Sequence, residues 1–192
     1  KSSSSINNVT IIGQNASNTI VNKAIFNVAT SLTIYNVTFI DSSIENTGTL
    51  NAFDCVFKDS SSSLYGGVIH SQGDVNLDNC SFIDNSALCG GAIYIKSANL
   101  NINNCIFLNN NAEMFGGAVI ALRSNLNLNE VTARNNKAEN DGGFIYSYYG
   151  EFSIANSDLS YNSADNGGAL FINGASNDII KNNTFMGNVA LT

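Results

Sequence analysis

Five pairs of adjacent glycines recur along the chain, at Gly66-Gly67, Gly90-Gly91, Gly116-Gly117, Gly142-Gly143 and Gly167-Gly168, spaced 24, 26, 26 and 25 residues apart. A near-constant period of this size means one small unit repeated and stacked, which removes most fold classes at once. Each unit reads G-G-x-[IVL], then an x-apolar-x-apolar stretch, then x-aromatic-x-x-N with an alanine two residues on. The chain has no proline, so glycine and short polar residues must make its turns.

Laid in register, the units give columns. Phe39, Phe57, Phe82, Phe107, Ala133, Leu159 and Phe185 share one position, and Val37, Cys55, Cys80, Cys105, Val131, Ser157 and Asn183 lie two residues earlier. A second alternating pair precedes them, as in Leu100/Ile102, Leu126/Leu128 and Phe152/Ile154. Strict alternation is the strand period, so each pair marks a short strand with one buried face. The alternation slips by one residue at a fixed place in every unit, and a fixed slip is a corner. Asn36, Asp54, Asn79, Asn104, Glu130, Asn156 and Asn182 occupy that corner, and Ser42, Ser60, Asn85, Asn110, Asn136, Asn162 and Asn188 a second one. Asparagine tolerates the left-handed conformation, and its amide can bond the equivalent amide one unit away, so ladders of corner asparagines are expected. Loss of one such corner rung should cost only about 1 kcal/mol.

Short strands joined by helix-free corners every 25 residues or so predict an all-β, single-stranded parallel β-helix. We expect about seven coils, three short strands per coil, and the right-handed winding usual for parallel connections. Residues 1–192 read as one domain, with abbreviated N-terminal coils over 1–65 and five glycine-pair coils over 66–192, as part of a longer array. The first glycine of each pair is expected at a positive-φ turn. The second is expected on the inward face, where with Ala87, Ala112, Ala138, Ala164 and Ala190 it leaves room for the phenylalanines.

Composition narrows the partners. Only 12% of residues are charged, with 8 basic against 15 acidic side chains, whereas 33 are asparagine. No basic cluster or aromatic-basic interleaving is present, which speaks against nucleic acid and anionic membranes. No apolar run approaches membrane-spanning length, so direct membrane insertion is not expected.

The segments "GGVI", "GGAI", "GGAV", "GGFI" and "GGAL", together with "FIDN" at 82–85, "FLNN" at 107–110 and "FMGN" at 185–188, resemble the paired GG-apolar and FxxN motifs of polymorphic-outer-membrane-protein repeats. The resemblance covers about residues 30–192. Such repeats occur in chlamydial autotransporter passengers and in adhesin-like surface proteins of methanogenic archaea, and the asparagine-rich, proline-free composition looks more like the latter. The resemblance implies an extracellular, cell-surface location and adhesion. "ARNN" at 133–136 and "LSYN" at 159–162 lack the phenylalanine, and "FIDS" and "FKDS" end in serine.

Several residues could carry chemistry. Asp41, Asp59 and Asp84 share a column one coil apart, a spacing compatible with paired catalytic carboxylates or a weak calcium site, but equally with exposed turn aspartates. His70 is the only histidine, which excludes a multi-histidine metal centre within the segment. Cys55, Cys80 and Cys105 lie on successive coils and read as buried thiols, with one inter-coil disulfide as the alternative. No cofactor is implied, because the glycine pairs neither open a helix nor precede Lys-Ser/Thr. Sequons place candidate glycans at Asn8, Asn15, Asn36 and Asn182, with Asn79 the weakest.

One column exceeds what a rod requires. His70, Tyr94, Ile120, Tyr146 and Phe171 are the fifth residues of their units, and parity turns them outward as a stripe. They could stack on sugars, dock a partner, or pack beneath a loop or neighbouring domain. The reading is thus a non-enzymatic surface adhesin or stalk whose partners are host or neighbouring-cell glycans, surface proteins, or further coils of the same protein. The alternative is a carbohydrate-active β-helix enzyme, a polysaccharide lyase or glycoside hydrolase.

Overall fold

A computed structural model describes residues 5–175 and 177–192, and in it the alternating stretches are strands of a parallel β-solenoid. The coil that begins at the second glycine pair shows the plan. Ile93–Lys96 lies in sheet A, Asn99–Asn103 in sheet B, Ile106–Leu108 in sheet C and Asn111–Phe115 in sheet D. Every strand pairs in parallel with its equivalents one coil away, so sheets A, B and C each have eight strands and sheet D has six. The registers follow the sequence columns: Phe82 pairs with Phe107, Phe107 with Ala133, and Leu100 with Leu126. Sheet D begins only at Ser61–Tyr65. The earlier coils are therefore three-sided, with three strands per turn as expected, and the later ones gain a fourth. Periodicity misses that fourth strand because it turns only one alanine inward and its register shifts before the turn, as between Ala87 and Cys89.

Left-handed residues make the corners. The corner between sheets B and C holds Asn79 at φ 52°, Asn104 at φ 50° and their column. The next corner is displaced from the expected column by one residue: Asp41, Asp59, Asp84, Asn109, Asn135 and Tyr161 carry the positive φ. This shift turns Ser42, Ser60, Asn85, Asn110, Asn136 and Asn162 into the core, where all are buried.

Those buried asparagines form a closed ladder. Asn110 Nδ2 donates to Asn136 Oδ1 (2.9 Å) and to the carbonyl of Phe82 (3.0 Å), while its Oδ1 accepts from Asn85 N (3.2 Å) and Asn85 Nδ2 (3.0 Å). The same pattern repeats at Asn136 and Asn162. Polar side chains survive in this interior because each amide is fully partnered.

The glycines divide their work in a way the sequence reading had only half right. Gly90 sits at φ +67°, the left-handed turn expected of it. Gly91 does not make room for a phenylalanine. A Cβ there would lie 2.2 Å from the carbonyl oxygen of Gly117 and 2.6 Å from that of Asn111, so the space belongs to the backbone of the next coil.

Beside the ladder runs a phenylalanine stack, with ring centroids 5.1 Å apart for Phe39–Phe57, 4.9 Å for Phe57–Phe82 and 4.8 Å for Phe82–Phe107. Ala133 interrupts it, and Phe144, 11 residues on and just after the next glycine pair, fills the gap 5.3 Å from Phe107. The other units put valine or alanine at the position of Phe144. At this point of the stack a different column therefore carries the ring. Cys55, Cys80 and Cys105 are free, buried thiols just inside the B–C corner, and Cys80 N donates to Cys105 Sγ at 3.3 Å. Hydrogen bonding between the first two thiols, and burial, push Cys55 up, and the bond to Cys105 does the same for Cys80. At the C-terminal end of the stack the inward residues Ile180 and Phe185 are about half exposed, because no described coil lies beyond them.

Candidate binding face

Sheet A carries the aromatic column on its outer side. His70 pairs with Tyr94, Tyr94 with Ile120, Ile120 with Tyr146, and Tyr146 with Phe171. All five are absent from the main core, as parity required. Their exposure is another matter. Tyr94 and Ile120 are only 8% and 2% exposed, whereas His70, Tyr146 and Phe171 are half-buried. The expectation of a bare stripe is thus corrected for Tyr94 and Ile120, and the cover comes from the same chain.

That cover is the end of sheet D. Cys89 packs with Tyr94 and Ile120 in a second apolar cluster, joined by Leu88, Met114, Phe115, Leu122 and Tyr146. Tyr65 lies 4.5 Å from Tyr94 between ring centroids and 5.6 Å from His70, and Phe115 lies 5.1 Å from Tyr146. The glycine pair folds D back toward the outer face of A, so the fourth strand and the stripe depend on each other. Burial raises the Tyr94 and Tyr146 phenols above their ordinary value, with Tyr65 and Asp141 as the respective second causes.

The stripe opens at both ends. At one end His70 Nδ1 lies 2.8 Å from Glu45 Oε2, and Tyr65 and Leu64 are exposed. At the other, Tyr146 stacks on Phe171 at 5.2 Å and 4°, Tyr148 stands 4.5 Å from Tyr149, and Tyr149 is exposed. Tyr65, Tyr148 and Tyr149 were missed by column reading. Tyr65 ends a strand of sheet D, and the other two stand where a longer sheet A strand runs into its corner.

The remaining candidates are scattered. Asp41, Asp59 and Asp84 stand at the corners that follow successive sheet C strands. Asp84 Oδ1 accepts from Asn109 Nδ2 at 3.0 Å and Asp59 Oδ2 lies 3.9 Å from Lys58 Nζ, so these two turn to separate neighbours. Among the described residues no group of three or more His, Cys, Asp or Glu side chains is gathered as a metal site would need. Asn8, Asn15 and Asn182 are exposed, but the Asn36 sequon is encumbered, since Thr38 is buried with its hydroxyl donating to Ala16 O at 2.6 Å. Asn79 Nδ2 is engaged with Asp54 Oδ1 at 2.6 Å.

One known family is similar to a single C–D–A segment of the chain. Residues 79–96 match the Chlamydia polymorphic membrane protein (Chlamydia_PMP) repeat. In the solenoid, the matched segment contains the left-handed Asp84, the ladder residue Asn85, the glycine pair 90–91 and Tyr94. No curated protein matches the chain, and no solved structure does.

Proposed function

We propose that the chain is a non-enzymatic surface rod, an adhesin or stalk segment held outside the cell, and that the open ends of its aromatic column dock a glycan or surface protein. The carrying observation is the cluster of half-buried Tyr146, Tyr148 and Phe171 with exposed Tyr149, which holds more aromatic surface than the stacking of coils requires. The match to the polymorphic membrane protein repeat supports the surface location and the adhesin-like role. The exposed apolar end around Ile180 and Phe185 fits further coils of the same kind. Binding to a glycan array and to intact cells tests the reading, with Tyr146→Ser/Tyr149→Ser beside the parent chain. Loss of one or more of the parent's glycan or cell interactions, with a melting curve lowered only slightly, is expected. A substituted chain that keeps every interaction of the parent, or turnover of a bound polysaccharide, would overturn it.

A further inference from the structure

The outer face of sheet B is a second surface, independent of the aromatic column. From Thr49–Phe53 to Phe152–Ala155 its strands turn asparagine, aspartate, serine and threonine outward, with Phe53 and Ala155 as the two apolar exceptions at one edge, and none carries a lysine or arginine. Three amide rows run along the stack. In the central one, Asn76 Nδ2 donates to Asn51 Oδ1 (2.8 Å), Asn101 Nδ2 to Asn76 Oδ1 (2.8 Å) and Asn127 Nδ2 to Asn101 Oδ1 (3.2 Å). The flanking rows start at Asp74 and Asp78 and continue through Asn99 to Asn125 and through Asn103 to Asn129.

These rows leave valence unused in a fixed pattern. An asparagine amide has two N–H donors and an oxygen with two acceptor positions. Within a row, Asn101 spends one donor on Asn76 and one acceptor position on Asn127. In the central row the second donor and second acceptor of Asn76 and Asn101 are free, and such positions repeat about every 4.8 Å along the stack. The row bonds already fix the rotamers, so a ligand need not order them. Fold stability does not demand this arrangement, since an exposed strand position accepts many polar residues.

Charge and area select the occupant. Along these five strands anionic polymers would meet Asp74 and Asp78 and no cation, the nearest on the sheet being Lys181 in the last strand. These five strands, four of five residues and one of four, span roughly 24 by 16 Å, well under the ~800 Å² per partner of a stable protein pair. A chain of hydroxyl groups needs no such area, and it supplies donors and acceptors at short, regular intervals. We infer that the asparagine face of sheet B binds an uncharged polysaccharide, laid along the amide rows and held by hydrogen bonds rather than ion pairs.

The test uses the full chain with soluble uncharged polymers of glucose, mannose and N-acetylglucosamine, and a sulfated polymer of the same backbone. Side-chain amide resonances of Asn101 and Asn127 should shift on titration with at least one uncharged polymer, binding should be unaffected by salt, and the sulfated polymer should bind at least tenfold more weakly. Asn101→Val/Asn127→Val should lower affinity at least tenfold. The Tyr146→Ser/Tyr149→Ser chain should bind as the parent does, which separates this face from the aromatic column. If the valine variant misfolds, the resonance shifts in the parent decide. No shift with any of the three uncharged polymers, equal binding of the sulfated one, or binding that salt abolishes overturns the inference.

Discussion

Replacing Asn110 by alanine tests whether the inner ladder is a structural spine. The substitution removes four hydrogen bonds inside the core: two donated by Asn110 Nδ2, to Asn136 Oδ1 and Phe82 O, and two accepted by its Oδ1 from Asn85. Two of the groups left behind keep a partner: Asn85 Nδ2 still reaches the carbonyl of Phe57 at 3.1 Å, and Asn136 Oδ1 still accepts from the residue-110 amide at 3.0 Å. Asn85 N loses its partner while buried, a cost of about 1 to 3 kcal/mol, and the other lost bonds add about 0.5 to 1 kcal/mol each. The expected total is about 3 to 5 kcal/mol, equal to that for Phe107→Ala and well above the single kcal/mol expected of an exposed corner rung. Asn110→Ser should recover roughly half of it, because Ser60 holds the same column and its hydroxyl accepts from Ser42 N at 3.0 Å. Urea unfolding, with Asn101→Ala as an exposed-row control, gives the ranking. If Asn110→Ala fell within about 1 kcal/mol of that control, the column would not be buried and the reasoning would fail.

Phe144→Ala should cost about 3 to 5 kcal/mol, and adding Ala133→Phe should return much of it by restoring the ring to its usual column; a double-mutant cycle by urea unfolding measures the coupling. Cys55 and Cys80 have folded values above the ordinary 9.0, so stability should be intact below pH 9 and decline as pH rises beyond it. The slope should approach about 1.4 kcal/mol per pH unit per thiol, and valine at both positions, already native at Val37 and Val131, should flatten the alkaline limb of a pH–stability profile. The hydrogen bond from Arg134 holds the Asp158 carboxyl below its ordinary value; the stability it gives is present above that value and lost as pH falls through the lowered one. Being exposed, the pair should contribute no more than about 0.5 kcal/mol, and Arg134→Gln should remove that much of the acid limb. Tyr94→Ser should lower stability by about 3 kcal/mol and Tyr146→Ser by clearly less, as thermal melts would show, because sheet D covers only the first fully.

Much of the architecture was legible because a stacked repeat writes its neighbours into the sequence. Phe82 and Phe107 lie in one column of the chain and in one stack of the solenoid for the same reason: each strand pairs in register with its equivalent one coil away. The column of Asn79 and Asn104 announced its corner through the conformational tolerance of asparagine, and the glycine pairs announced a turn. The aromatic column was legible in its outward parity, while its cover was not.

What the sequence determined by itself was therefore the repeat, the parallel stacking and the side of the strand on which each residue falls, since these follow from local period and from register. Tertiary structure decided the rest. A polar residue beside a corner points in or out according to a backbone rotation of one residue, and only the closed coil shows that Asn110 is inside and Asn109 outside. The second glycine is dictated by a carbonyl 26 residues further on, Gly117 above Gly91, which no local pattern encodes. Likewise Phe144 supplies the ring missing at Ala133 because both positions open into one continuous core, where Phe144 reaches Phe107. Burial is a property of the closed coil and its neighbours, and two-residue alternation cannot report on it where two sheets fold toward each other, as D does over Tyr94 and Ile120.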